Sequence, residues 1–189
     1  MKEVPTAVTP MQKIPLERIE RSGRILDLGG GGEGIVSRLE GQRVYAVDAS
    51  FQKIREARIH PTDSQWILAD ARSLCFQDSM FDIATFWFSL GYFRDMKSKK
   101  TALREACRSL KKGGRLSIIA ASITCPEDRF VFKTQLTFPD GTTSQMAFAV
   151  KGNQNQDADV IMKLVKDVGF EVAQLKEYEY WFRIKAQKL

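Results

Sequence analysis

One histidine and three cysteines are all the soft metal ligands that 189 residues provide. Cys75, Cys107 and Cys125 are odd in number, widely spaced and form no CxxC pair. With His60 alone to join them, they match no zinc or iron–sulfur spacing, so no metal is expected, and they read as free thiols of a reducing cytoplasm. Long apolar runs are also missing. The opening stretch "MKEVPTAVTPMQKIP" carries Pro5, Pro10 and Pro15 and suits neither a signal peptide nor a membrane anchor. It is expected to be an extended arm, covering residues 1–22. There is no internal repeat and no low-complexity tract, and the length fits one domain spanning 1–189.

The net charge of +6 raises the question of nucleic acid, and its location bears on the answer. Residues 121–189 hold nine Lys/Arg and nine Asp/Glu, whereas 94–115 hold nine basic residues against Asp95 and Glu105. The surplus therefore sits in "RDMKSKKTALREACRSLKKGGR". Ala102, Leu103, Ala106 and Leu110 recur there at helical spacing, which puts most of the charges on a solvated face. No aromatic side chains interleave them, so a soluble helix surface is the expectation and a nucleic-acid partner is not.

Apolar segments and helical patterns alternate over the first 120 residues. "RILDLG", "RVYAVD", "WILAD", "FDIATFWF" and "RLSIIAAS" read as strands. Strands apolar along their whole length are buried on both faces, and strand–helix alternation implies a parallel sheet. Five βα units are expected, with Ser50 as an N-cap and Gly113-Gly114 as a helix stop. Beyond Ser122 the rhythm changes. "RFVFKTQLTF" and "TTSQMAFAV" flank "PDG" and predict a β-hairpin over 129–150. A helix from about Asp157 to Val168 and two last strands, turning near Glu179, complete the chain. The expected architecture is α/β: a Rossmann-like, doubly wound, mostly parallel seven-stranded sheet with helices on both faces, the last strand antiparallel, and a hairpin inserted after the fifth strand.

The stretch that carries chemistry is "ILDLGGGGEGIVSRL", residues 25–39. Ligands of open α/β sheets lie beyond the carboxyl ends of the strands, and a glycine turn there lets the backbone approach the ligand where a Cβ would collide. Gly29, Gly31 and Gly34 spell GxGxxG, and Asp48 ends the second strand where a carboxylate meets ribose hydroxyls, a pattern that also serves NAD. Glu33 opposes NAD. A helix N-terminus favours an anion, but Glu33 already supplies one. A carboxylate about 5 Å from a phosphate, at an effective dielectric of about 20, costs roughly 3 kcal/mol. Asp27 adds a second acid just before the glycines. Together they suit a ligand with a ribose, positive charge and no phosphate.

At these residues the chain resembles the class I S-adenosylmethionine-dependent methyltransferases of small-molecule type. The likeness runs from Arg24 to Ser122. "ILDLGGG" is similar to their first motif, with Glu33 at the place of its third glycine, and "VYAVDAS" to the second. "LADARSLCFQDSMFDIATFWFSL" resembles the segment in which an acid–Ala pair lies along the adenine. "LREACRSLKKGGRLSI" is similar to the helix and double glycine before the fifth strand. The resemblance implies S-adenosylmethionine as cofactor. It also implies cofactor contacts from Asp27, Gly29, Gly31, Asp48, Ala49, Asp70, Ala71 and Phe86. Without the resemblance, Asp27 could serve only nearby N–H groups and Asp70 could cap the turn after its strand.

The resemblance implies in-line methyl transfer, which needs no protein nucleophile because the donor is already activated. Gly91 and Tyr92 stand where some members carry a histidine base, so no catalytic residue is named. His60, in a turn, is expected to be solvated. The acceptor is expected to be a small molecule, shaped by the aromatics at 86–93, the hairpin and the arm. Two other readings remain open: an NAD-dependent oxidoreductase sharing the glycine loop, though the chain has no Tyr-x-x-x-Lys, and a non-catalytic cofactor-binding module.

Overall fold

The computed structural model describes residues 4–19 and 22–189. Its main sheet has seven strands: β3 (Ile25–Leu28), β4 (Val44–Asp48), β5 (Gln65–Leu68), β6 (Phe81–Trp87), β7 (Leu110–Ala121), β10 (Phe170–Glu177) and β11 (Trp181–Lys188). Their spatial order is β10-β11-β7-β6-β3-β4-β5. β3 pairs in parallel with both β4 and β6, so the strand order reverses at β3, whose carboxyl end opens into a crevice. β11 enters between β7 and β10 and runs antiparallel to both, as the sequence suggests. The turn before it closes with Tyr178 stacked on Trp181, centroids 3.9 Å apart.

The helices are α1 (Ile35–Glu40), α2 (Phe51–Ala57), α3 (Met96–Ser109) and α4 (Ala158–Asp167). Alternate residues of the central strands feed two cores. Leu26, Ala84 and Phe86 pack with Ala102, Leu103 and Ala106 of α3 and Ala158, Ile161 and Val165 of α4. Ile25, Ile83 and Trp87 pack on the other face with Ile35, Val36 and Leu39 of α1. Ser50 caps α2 by accepting from the amide of Lys53, as its position predicts.

Two expectations are corrected. Gly113 and Gly114 do not stop α3; the helix passes directly into β7, and the glycines lie inside that strand. There the β6–β7 register shifts, from Phe81 opposite Leu110 to Ile83 opposite Arg115, so the pair forms a bulge, with Gly113 at φ 71°. The third βα unit has no helix: residues 69–80 run as turns from β5 to β6.

The second sheet is built around the hairpin. β8 (Arg129–Thr137) and β9 (Thr143–Lys151) pair antiparallel across the Pro139–Gly141 turn. The described part of the arm forms β1 (Thr6–Val8) and β2 (Gln12–Pro15), both parallel to the same β8 strand. The side chains of Phe130, Phe132 and Leu136 on β8, with Ile14 and Leu16 of the arm, are buried in the second core. The hairpin is therefore anchored from below, while the outer strand β9 is left to face the crevice.

Candidate functional site

A cleft of about 1030 Å³ opens at the carboxyl ends of β3, β4, β5 and β6. Its floor is the glycine loop. Gly29 turns at φ 78°, its amide donating to Val47 O at 2.8 Å, and this brings Ser89, at the far end of β6, against it. A Cβ on Gly29 would collide with the Ser89 side chain, and one on Gly30 with the Asp27 carboxylate. One on Gly31 would stand 2.6 Å from Asp48 Oδ2. The bareness of the loop is thus a packing requirement with three named partners.

Two carboxylates flank the loop in different surroundings. Asp27 is 2% exposed and accepts from Thr85 Oγ1 at 2.6 Å. Burial pushes its pKa up to about 7, the Thr85 hydroxyl opposes that rise, and the nearby Asp48 charge adds to it. Asp48 Oδ2 accepts from the Gly31 amide at 3.1 Å and Oδ1 from the Ser50 amide at 2.9 Å. Further along, Asp70 takes the Arg72 guanidinium through both oxygens, which holds it below the usual carboxylate range.

Among the residues named from sequence, Asp27, Gly29, Gly31, Asp48, Ala49, Asp70 and Ala71 all line this cleft. Phe86 does not, and its assignment is corrected. It is fully buried in the core shared with α3 and α4. With Ala84 it points to that face by the two-residue alternation of β6, an alternation that Phe88, at φ 62°, breaks two residues later. Trp87 and Phe88 consequently both join the second core and both reach the cleft. A left-handed phenylalanine is costly and persists only where surrounding packing imposes it. Here the imposing contacts are the Phe88 amide bonded to Ile119 O at 2.6 Å and a stacked Phe148 ring at 4.8 Å.

The opposite wall comes from β9, where Met146, Ala147 and Phe148 line the cleft together with Tyr92 and Phe93. No described residue of the N-terminal arm does; the arm acts through β8 instead. Glu33 and His60 are also in the lining. The Glu33 carboxylate lies 3.6 Å from Arg38, 3.7 Å from His60 Nε2 and 3.4 Å from Ser144 Oγ, so it ties α1, the α2–β5 turn and the hairpin. His60 is in a turn, as expected, with its side chain 39% exposed, and that turn borders the cleft. No local signal announces the links to His60 and Ser144, because these partners are 27 and 111 residues away. The basic helix also differs from its expected picture. Lys99 is buried and Lys100 pairs with Asp167 at 2.9 Å, so part of the charge excess is not presented to solvent as free cations.

A doubly wound sheet with its bare loop at the switch point, an acid at the end of β4 and an apolar wall beyond defines a Rossmann-like, nucleoside-binding class. The comparisons with known proteins specify it. Residues 26–118 match the methyltransferase domain family. The chain is 30% identical over 166 residues to a demethylmenaquinone methyltransferase of Thermotoga maritima, covering 79% of this chain and 71% of that protein. It is 33% identical over 120 residues to a ubiquinone/menaquinone biosynthesis C-methyltransferase of Azotobacter vinelandii, covering 58% of this chain and 46% of that protein. A S-adenosylmethionine-dependent methyltransferase of Methanosarcina mazei shares the fold, with a TM-score of 0.67 at 24% identity over 90% of this chain and 94% of that one. The chain belongs to the class I S-adenosylmethionine-dependent methyltransferases, of small-molecule type, with S-adenosylmethionine as cofactor. The oxidoreductase and non-catalytic alternatives are not favoured.

The residues present fit that cofactor. Ser89 Oγ is buried against Gly29 without a hydrogen-bond partner, and the buried Asp27 carboxyl lies against Gly30. Both suit the polar end of an amino acid. Asp48 at the end of β4 suits a ribose diol. Among the described residues no cluster of His, Cys, Asp and Glu is placed to hold a metal, and no helix is long and apolar enough to cross a membrane.

Proposed function

We propose that the enzyme methylates a flat, largely apolar small molecule, held between the end of β6 and the face of β9. The observation that carries this reading is the wall itself. Trp87, Phe88, Tyr92, Phe93, Met146 and Phe148 all line the same cleft as the polar loop. Rings and a thioether of this kind favour another ring by stacking and by apolar burial. The related Thermotoga maritima protein is a demethylmenaquinone methyltransferase, and an electron-rich aromatic acceptor suits the same wall.

When bound, S-adenosylmethionine supplies a methyl group on a sulfonium, activated for in-line displacement. Asp27 and Ser89 would hold its amino-acid end, Asp48 the ribose, and Asp70, Ala71 and Ala49 the side of the cleft where the adenine belongs. The glycine loop brings backbone N–H groups close without side chains in the way. The aromatic wall orients the acceptor and excludes water from its face, and orientation is the main contribution an enzyme makes with a donor already activated. Transfer of labelled methyl to 1,4-naphthohydroquinone, compared with aliphatic amines and carboxylic acids of similar size, tests the reading. Turnover of the aromatic probe alone supports it, and preference for the aliphatic acceptors contradicts it.

A further inference from the structure

Lys99 carries the one basic side chain among the described residues that has no solvent exposure, and no carboxylate bonds to it. Its ammonium donates to two neutral oxygens, Phe93 O at 2.8 Å and Gln154 Oε1 at 2.6 Å. The Gln154 amide is 6% exposed and fully used: its nitrogen donates to Gly91 O at 2.8 Å and to Lys151 O at 2.6 Å. Burial pushes the amine down to about 8, partly offset by Asp95. An aliphatic side chain of similar length would be cheaper to bury there than an amine. What the amine adds is direction.

The pair joins three segments at one buried junction. Phe93 and Gly91 belong to the loop after β6, which lines the cleft at Tyr92 and Phe93. Lys99 closes the first turn of α3, and Lys151 ends β9, whose Met146–Phe148 stretch forms the facing wall. The same junction is packed closely: a Cβ at Gly91 would lie 3.0 Å from Ile123 Cδ1 and 3.5 Å from Val150 Cγ1. We propose that Lys99 and Gln154 form a buried brace that sets the spacing of the two acceptor walls, making both of them positioning residues for the acceptor and not for the cofactor. This rests on the reading that the Tyr92–Phe148 end of the cleft receives the acceptor.

Lys99→Met, Gln154→Met and the double variant test it, with S-adenosylhomocysteine as the cofactor probe and 1,4-naphthohydroquinone as the acceptor probe. Calorimetric affinity for S-adenosylhomocysteine is expected to stay within about twofold, whereas amide exchange at 91–95 and 146–151 accelerates by about tenfold or more. The KM for naphthohydroquinone rises by about tenfold in each single variant and by no more in the double, as for two parts of one unit. Unchanged exchange in both segments overturns the brace. So does an equal loss of cofactor and acceptor affinity, or additive effects in the double variant. If wild-type enzyme leaves naphthohydroquinone unmethylated, the acceptor reading fails while the exchange measurement still decides the brace. Should Lys99→Met not fold, Gln154→Met removes the same link and is judged by the same criteria.

Discussion

The amide of Gly31 donates to Asp48 Oδ2, and the space that a Gly31 side chain would need is taken by the same carboxylate, 2.6 Å from the ideal Cβ position. Loop and acid are therefore fitted to each other. Gly31 is not in the left-handed region, so alanine is conformationally acceptable there, and its effect isolates the steric role. Gly31→Ala is expected to lower S-adenosylhomocysteine affinity by about ten- to a hundredfold, the equivalent of losing one or two charge-assisted hydrogen bonds, and to lower the melting temperature as well, because the new Cβ also meets Lys53 Cβ at 2.7 Å. Calorimetry and thermal unfolding on the same sample check both halves.

Asp27 gives a pH signature with a definite sign. Its folded pKa, about 7, lies above the unfolded value of 3.8, so the folded protein holds a proton that the unfolded chain has lost. The stability this contributes is fully present below about pH 3.8 and is lost as the pH rises to 7, a change on the order of 4 kcal/mol for a fully buried group. Asp27→Asn is expected to flatten stability over that window, measured by denaturant unfolding at a series of pH values. A cationic ligand group beside Asp27 favours its ionised form, so S-adenosylmethionine binding should release a proton near pH 6–7. Calorimetry in buffers of different ionisation enthalpy reads this release directly, and it should vanish in the asparagine variant.

The facing wall is tested at Phe148. Its stack on Phe88 contributes about 0.5–1.5 kcal/mol beyond the apolar area the ring buries against the second core, so Phe148→Ala is expected to be folded but less stable by more than that amount. Loss of the ring should raise the acceptor KM by about tenfold and leave S-adenosylhomocysteine affinity near the wild-type value. A deletion of the hairpin would be a poorer test, because β8 buries Phe130, Phe132 and Leu136 and pairs with the arm.

Much of this architecture is legible in the sequence because its signals are local. Buried parallel strands read as unbroken apolar runs, and the four glycines with Asp27 and Asp48 mark the switch point without any knowledge of distant residues. What escaped depends on long-range or conformational detail. The arm pairs with β8 more than 120 residues away, and Glu33 finds Ser144 across 111 residues. Phe86 sits at the mouth end of β6, which suggests the cleft, but alternation sends it with Ala84 into the α3 core, while the left-handed Phe88 joins Trp87 on the cleft side. Gly113-Gly114 has the composition of a helix stop but serves as a bulge, since β7 needs extra residues opposite β6. Lys99 was readable: it lies three and four residues before Ala102 and Leu103, on the apolar stripe of its helix, where a charge should have drawn notice.

The central claim is that the bare loop between Asp27 and Asp48 receives a cationic nucleoside without phosphate. Electron density from crystals grown with S-adenosylhomocysteine tests it most directly. The account predicts density along residues 29–32, with ribose hydroxyls on Asp48 and the amino-acid end against Asp27 and Ser89. Density elsewhere, or a cleft that takes up NAD across the same loop in preference, would contradict it.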